Sequence, residues 1–298
     1  MVTGVSNLKS DCIGMMPVLT TQAGACMTAA SWQEAGIHSA SFYLAALLMK
    51  PGYDFLMTLP DLATYVGWQE GLVLNASLPA MNTNGLYALR SHYDGHRSYY
   101  SVDDILTLVS RLKPSVVIFP EGVWHKNDML WQSLPETIVP FFPVTDLPTS
   151  LVAKKAFGVY ISCDTKTSPS EALEQLAIHN DKPCYIAGDL SLSLMVDLVH
   201  NGAKFVESDR PASDACHGKV YWSEGELSLS DPVFSMQFEP IDPTCSCSTC
   251  SQKLTRAYLH HLLEHTPLLC QRLLVQHNVH YCQARLSAYF LSLKNEIA

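Results

Sequence analysis

No run of about 18 consecutive apolar residues occurs anywhere in this sequence, so a membrane-spanning helix is not expected. Low-complexity tracts, blocks of like charge and Pro/Gly/Ser-rich linkers are missing too, and nothing divides the 298 residues. A single continuous domain over 1–298 is expected, with a C-terminal subdomain at about 240–298. Positive charge is scarce: 19 Lys and Arg stand against 28 Asp and Glu, a net charge of −9. Composition alone therefore does not suggest a nucleic-acid partner; such binding needs a local basic patch. The opening residues lack a basic segment followed by an apolar run, so no signal peptide is expected. Cysteine is plentiful, yet seven of the ten are scattered singly, at Cys12, Cys26, Cys163, Cys184, Cys216, Cys270 and Cys282. That scatter fits reduced thiols in a cytoplasm better than a disulfide framework.

What is present is enough apolar residue, 48%, for a large core, at a length that suits one α/β barrel. From the middle onward, short apolar runs alternate with capped amphipathic helices. Ser101 opens a capping-box-like start to a helix whose Ile105, Leu108, Val109 and Leu112 share one face. SVVIF at 115–119 follows as a strand, then IVPFFPV at 138–144, where the prolines weigh against a strand. FGVYIS at 157–162, CYIAG at 184–188 and KFVES at 204–208 are further strands, separated by helices opening at Ser168-Pro169 and closing at Asn201-Gly202. This alternation implies parallel βαβ units. GMMPVLT, HSASFYLA and GLVLNA supply three more strands, for about eight in all. The expected fold is therefore a (β/α)8 TIM-like barrel, whose chemistry sits at the C-terminal strand ends. Those ends carry Asn75, Pro120-Glu121, Ser162-Cys163-Asp164, Gly188-Asp189 and Glu207-Ser208-Asp209. Trp68, Trp124, Trp131, Met15 and Met16 are expected in the core, and His92, His96 and Tyr99 on a hairpin that turns at Asp94-Gly95.

Cys245, Cys247 and Cys250 form C-x-C-x2-C. Three thiolates on one turn repel one another, and a divalent cation, zinc most commonly, removes that cost. A helix ending before Pro267 and a second running on from it would fold a fourth ligand back over the turn. His277 is favoured, with His280, Cys270, His260 and His261 as competitors. Four protein ligands leave no open position, which makes the zinc structural.

The segment DPTCSCSTCSQKLTRAYLHHL, followed by QHN at 276–278, resembles the zinc signature of the tRNA-guanine transglycosylase family. That resemblance carries His277 over as the fourth ligand. RSHYDGHRSYYSVDDILTLVSRLKPSVVIF, MMPVLT, LLMKPG, YVGWQEGLVL and KPCYIAGDL fall in family order as well. It implies exchange of guanine in tRNA for a 7-deazaguanine base: an aspartate attacks the ribose anomeric carbon and a second aspartate handles the protons, a glycosidase-like pairing of carboxylates.

Several positions depart from the family pattern. The acid/base aspartate is replaced by Asn75, whose amide takes and delivers no proton. The base-recognising aspartate is replaced by Pro120, with Glu121 beside it, and the nucleophile aligns with Glu207, one methylene longer. Two tRNA-gripping arginines are Ser213 and Cys216, and the paired glycines that admit the base fall near Ser162 and Cys163. FVES followed by proline resembles the non-catalytic subunit of the eukaryotic queuine tRNA-ribosyltransferase.

The resemblance thus implies a catalytically degenerate paralogue, a homodimer or the partner of a catalytic transglycosylase, which binds tRNA weakly when alone. One alternative is an active transglycosylase or ribosyl hydrolase with Glu207, or Asp209, as nucleophile and Asp164 or Asp189 as second carboxylate. Another is an RNA-binding or scaffold protein without catalysis. As plain structure, Glu207 is a solvated or hydrogen-bonded strand-end carboxylate, and Asp164 and Asp189 are capping or loop acids.

Overall fold

The computed structural model describes residues 14–125, 127–147, 155–163 and 167–297. Asp164, a candidate second carboxylate, lies outside them. Strands β1 (Met15–Met16), β2 (Ser39–Tyr43) and β3 (Gly71–Asn75) come first. An antiparallel hairpin, β4 (Tyr87–Arg90) with β5 (Arg97–Tyr100), follows β3. Strands β6 (Val116–Ile118), β7 (Val139–Pro143), β8 (Gly158–Cys163), β9 (Cys184–Gly188) and β10 (Phe205–Glu207) come next. A second hairpin, β11 (Lys219–Trp222) with β12 (Gly225–Ser228), precedes the C-terminal helices.

Eight strands pair in parallel in the order β1-β10-β9-β8-β7-β6-β3-β2. The sheet then turns back on itself: Ser41 N–H donates to the Pro17 carbonyl (2.9 Å) and Leu19 N–H to the Ser41 carbonyl (2.8 Å), a parallel bridge between Val18 and β2. The result is a nearly closed (β/α)8 barrel, as the alternating pattern implies. Its first strand is short because Pro17 has no N–H to offer a ladder.

The prolines of β7 do not break the sheet. Val139 N–H bonds the Ser115 carbonyl (3.0 Å) and Phe119 N–H bonds the Phe141 carbonyl (2.9 Å), both on the β6 side. Pairing with β8 starts only at Phe141 opposite Gly158, so the N–H that Pro140 lacks falls beyond the paired segment.

Two-residue alternation sorts side chains between the barrel interior and the layer under the helices. Met16, Val73, Val116, Ile118, Val139, Phe141, Tyr160, Tyr185 and Ala187 pack inside, closed off by Phe205. Space there is tight: a Cβ on Gly158 would sit 2.1 Å from the Phe141 ring. The outer layer includes Trp68, Trp124 and Trp131, all buried. The capping box expected at Ser101 forms with Asp104, and the helix that opens at Ser168-Pro169 has one too, Ser168 with Glu171, with Pro169 at its first position. The final helix, Pro267–Ile297, packs along Arg210–Cys216 and the barrel's outside. Among the described residues no helix is long and apolar enough to cross a membrane.

Candidate functional site

Alternation along β10 puts Phe205 and Glu207 on the same, inward side. Glu207 is fully buried. Its Oε1 accepts from the Tyr43 hydroxyl (2.9 Å) and the Asn75 amide (3.1 Å), and its Oε2 from the Tyr185 hydroxyl (2.7 Å). The three donors occupy inward positions of β2, β3 and β9, so one carboxylate ties four strands together. Burial raises its pKa above the ordinary carboxylate range, against the opposing pull of the hydroxyls and amide around it. Burial, and then the Glu207 charge, push the Tyr43 and Tyr185 hydroxyls well above their usual range.

Asn75 is equally committed. Its Oδ1 accepts from the Ser77 N–H (3.0 Å) and hydroxyl (2.6 Å), while Nδ2 serves Glu207. The pair is acceptor on one side and amide on the other, so no proton is available to transfer between them.

A cavity of about 940 Å³ opens at the C-terminal ends of β3, β6, β7 and β8. Ser77, Pro120, Glu121, Thr145, Tyr160 and Ser162 are among its lining residues; Glu207, Asp189 and Asp209 are not. Tyr160 stands at its inner end, its pKa pushed up to about 12 by burial and then by the Glu207 charge. The carboxylates on the wall are engaged. Glu121 accepts from the Thr145 hydroxyl (2.6 Å), and Glu171 closes its helix capping box. Asp189 is exposed in a loop 3.8 Å from the Arg210 guanidinium.

Asp209 stands apart from these. Its Oδ1 accepts from the Thr21 hydroxyl (2.8 Å), and burial, opposed by that bond and aided by the Glu207 charge, raises its pKa to about 6. A carboxyl whose folded pKa exceeds its unfolded one binds more protons when folded, so its contribution to stability declines as pH rises from about 4 to 6. Asp209→Asn keeps the bond from Thr21 and is expected to flatten the stability profile in that window, read from urea midpoints at pH 4, 5 and 6. An unchanged slope would remove Asp209 as its source.

The structure therefore brings Asn75 and Glu207 into contact and leaves Glu121, Asp189 and Asp209 separate from them. Tyr43, Tyr160, Tyr185 and Thr21 were not singled out by sequence. The signal for the three tyrosines was their inward place in a strand; the strand register that joins them was not available.

The second candidate site is metal-binding. Cys247 caps the short helix Ser248–Ser251, receiving the Cys250 N–H at 3.3 Å, which bends the chain so that the Cys245, Cys247 and Cys250 sulfurs converge. His277 descends from the long final helix, and its Nδ1 lies 3.7, 3.3 and 3.4 Å from those sulfurs in turn. Its other nitrogen, Nε2, is 2.7 Å from the Tyr221 carbonyl, an acceptor only. The proton must therefore reside on Nε2, leaving the Nδ1 lone pair aimed at the sulfurs. A tetrahedral zinc with about 2.3 Å to sulfur and 2.0 Å to nitrogen separates such atoms by roughly 3.6 Å. The four donor atoms, all within 4.8 Å of one another, fit that ion.

The competing ligands are accounted for elsewhere. His280 meets Ser246, the Cys270 thiol donates to the Leu259 carbonyl, His260 bonds the Leu229 carbonyl and His261 lies tilted against His265. The rest of the motif holds the site in place. Asn278 accepts from the Tyr221 N–H (3.1 Å) and donates to the Lys219 and Pro211 carbonyls, pinning the final helix to β11 and the helix Arg210–Cys216. Buried Asp242 accepts from Thr244 and from the Ser223 N–H, fixing the turn before the first cysteine. The group is built as a structural zinc centre.

Comparison with known proteins points the same way. The family model described as Queuine tRNA-ribosyltransferase matches residues 170–293, from the helix after β8 through the final helix. The chain is similar to the queuine tRNA-ribosyltransferase of Clostridium acetobutylicum, 23% identical over 79% of this chain and 76% of that protein. The protein of the same name from Desulfosudis oleivorans is 25% identical over 79% of this chain and 73% of its own length. The one from Desulforapulum autotrophicum is 34% identical, over 38% of this chain and 32% of its own length. A parallel eight-stranded barrel followed by a Cys3His group on a helical hairpin thus accompanies a similarity to queuine tRNA-ribosyltransferases that runs along most of the chain.

Proposed function

We propose that this chain is a catalytically silent member of the tRNA-guanine transglycosylase family that acts as a dimer partner, with itself or with an active transglycosylase, and helps position tRNA. One observation carries the reading. The carboxylate aligned with the family nucleophile is sealed inside the barrel and fully engaged by Tyr43, Asn75 and Tyr185. A ribosyl carbon must come within about 3–3.5 Å of a nucleophile in line with its lone pair, and no face of Glu207 is open to it. Asn75, with both ends of its amide in use, supplies no proton at the acid/base position. The retained metal group and core support a scaffold kept for assembly. With a net charge of −9, tRNA affinity of the chain alone is expected to be weak and steeply salt-dependent.

The test is base exchange. The purified chain, incubated with tRNA and labelled guanine, is expected to incorporate no label, whereas an active transglycosylase mixed with it should incorporate label and co-elute with it on size exclusion. Robust exchange by the chain alone would overturn the reading and return the nucleophile role to Glu207 or Asp209.

A further inference from the structure

The β4–β5 hairpin carries a feature that neither the barrel nor the metal group uses. Its register pairs Tyr87 with Tyr100, Ala88 with Tyr99, Leu89 with Ser98 and Arg90 with Arg97. Directly opposed residues share a face, so Tyr87, Leu89 and Tyr100 point down into the core, and Arg90, Arg97 and Tyr99 stand on the outer face. Two arginines directly opposite one another are mutually repulsive and cost the hairpin stability. Neither has an ion-pair partner among the described residues. The nearby Asp94 carboxylate is turned into the loop, where it accepts from the His96 N–H (3.0 Å) while Gly95 takes the positive φ the turn requires. Lys50, exposed in the segment Leu48–Gly52, sits 5.3 Å over the exposed Tyr93 ring, against which His92 also lies. In a chain with an acidic excess, this is an unneutralised basic surface interleaved with open aromatic rings.

The hairpin is also fastened to the cavity. The Tyr87 hydroxyl donates to the Glu121 carbonyl (2.8 Å), and Glu121 lines the cavity wall. Tyr100 stacks on Tyr53, which fixes the hairpin's inner side to the helix Tyr53–Thr58, just after the segment that bears Lys50.

We propose that the outer face of this hairpin is a docking surface for single-stranded RNA, such as a tRNA loop, with Arg90 and Arg97 on phosphates and Tyr99 and Tyr93 under bases. An anion between the arginines relieves their repulsion, and rings exposed beside a basic track are what unpaired bases stack on. A duplex keeps its bases covered and offers the rings nothing, which selects the single strand. The proposal rests on the tRNA-positioning reading and names the surface that performs it.

The full chain is titrated into fluorescein-labelled oligouridylate and into a labelled unmodified tRNA transcript across a salt series, read by anisotropy. Arg90→Ala/Arg97→Ala is expected to weaken both on the order of ten-fold at low salt and to reduce the log–log salt slope by about 1.4, about 0.7 per lost phosphate contact. Tyr99→Ala should lose about five-fold or more, and Tyr99→Phe should keep wild-type affinity. The double arginine variant should melt at or above the wild-type temperature, since the paired charge is unfavourable, and both Tyr99 variants should stay folded, since that side chain is exposed. If wild type binds tRNA and the double arginine variant matches its affinity and slope, this surface is overturned while the tRNA-positioning reading stands. Failure of wild type to bind either RNA, alone or with an active transglycosylase, overturns both. Equal binding of a blunt RNA duplex with Tyr99→Ala silent overturns the single-strand assignment. Loss of transglycosylase co-elution with RNA affinity intact makes the face a protein interface and overturns the proposal as well.

Discussion

Glutamine at position 207 is expected to leave the protein folded, and alanine to destabilise it by about 3 kcal/mol or more. Alanine strips the acceptor from two tyrosine hydroxyls and an amide inside the barrel, and each buried donor left unmade costs about 1–3 kcal/mol. For a chain of this size that corresponds to a melting temperature lower by roughly 6 °C or more. Glutamine keeps one acceptor oxygen for Tyr43 and Asn75 and reverses the bond to Tyr185, at a cost of about 1 kcal/mol. It also removes a carboxyl whose folded pKa lies above its unfolded one. The wild-type Glu207 therefore binds more protons when folded and loses stability as pH rises through the unfolded value and up to the folded one. Relative to wild type, Glu207→Gln should gain stability across that rise. In the silent reading neither variant alters the exchange activity of an added partner except through folding. Thermal melts at pH 4 and 7, beside guanine-exchange assays, separate the cases: Glu207→Gln that melts like wild type yet abolishes an exchange the wild type performs would make Glu207 a nucleophile after all.

The barrel was legible chiefly from its second half, where the apolar runs of β8, β9 and β10 alternate with the helices Pro169–Ile178 and Leu192–His200, as parallel strands buried on both faces do. Even IVPFFPV reads correctly once its prolines are placed at the margin of pairing with β8. The metal ligands were legible as a set because C-x-C-x2-C is local. The fold-back of a second helix favours His277 over four competitors and the resemblance carries it over, but the contact that orients it is one no sequence spacing reveals, its Nε2 held by the Tyr221 carbonyl 56 positions away. The interior of the barrel was the least legible part. Position 207 reads as a strand-end carboxylate, and strand ends usually face solvent or substrate. Its burial depends on the stagger that sets Glu207 against Ala187 and Met16, with tyrosines from β2 and β9 leaning over it. Alternation gives the inward direction of each side chain; only the closed cylinder brings the inward residues of β2, β3, β9 and β10 to one point.

Removing the metal is expected to have the other large effect. Chelation, Cys247→Ala or Cys250→Ala should each abolish one equivalent of bound zinc and lower the melting temperature by about 10 °C or more. Structural zinc contributes about 10–16 kcal/mol of apparent binding energy in small domains, of which a chain with its own barrel core forfeits only part. The loss is not confined to the cysteine turn. His277 and Asn278 are adjacent on the final helix, and Asn278 fastens that helix to β11 and to the helix Arg210–Cys216. Releasing His277 therefore loosens the seam between the tail and the barrel, and limited proteolysis should cut first after Pro240, in the segment leading to Cys245. The neighbours supply the controls. Cys270→Ala removes a buried thiol that donates to the Leu259 carbonyl, and His280→Ala a contact with Ser246; both should retain full zinc. His277→Cys replaces one zinc ligand by another of the kind the ion accepts and should recover metal where His277→Ala does not. If His280→Ala lost zinc as completely as His277→Ala, or the wild type purified without zinc and melted unchanged in chelator, the centre would not be what holds this tail to the barrel.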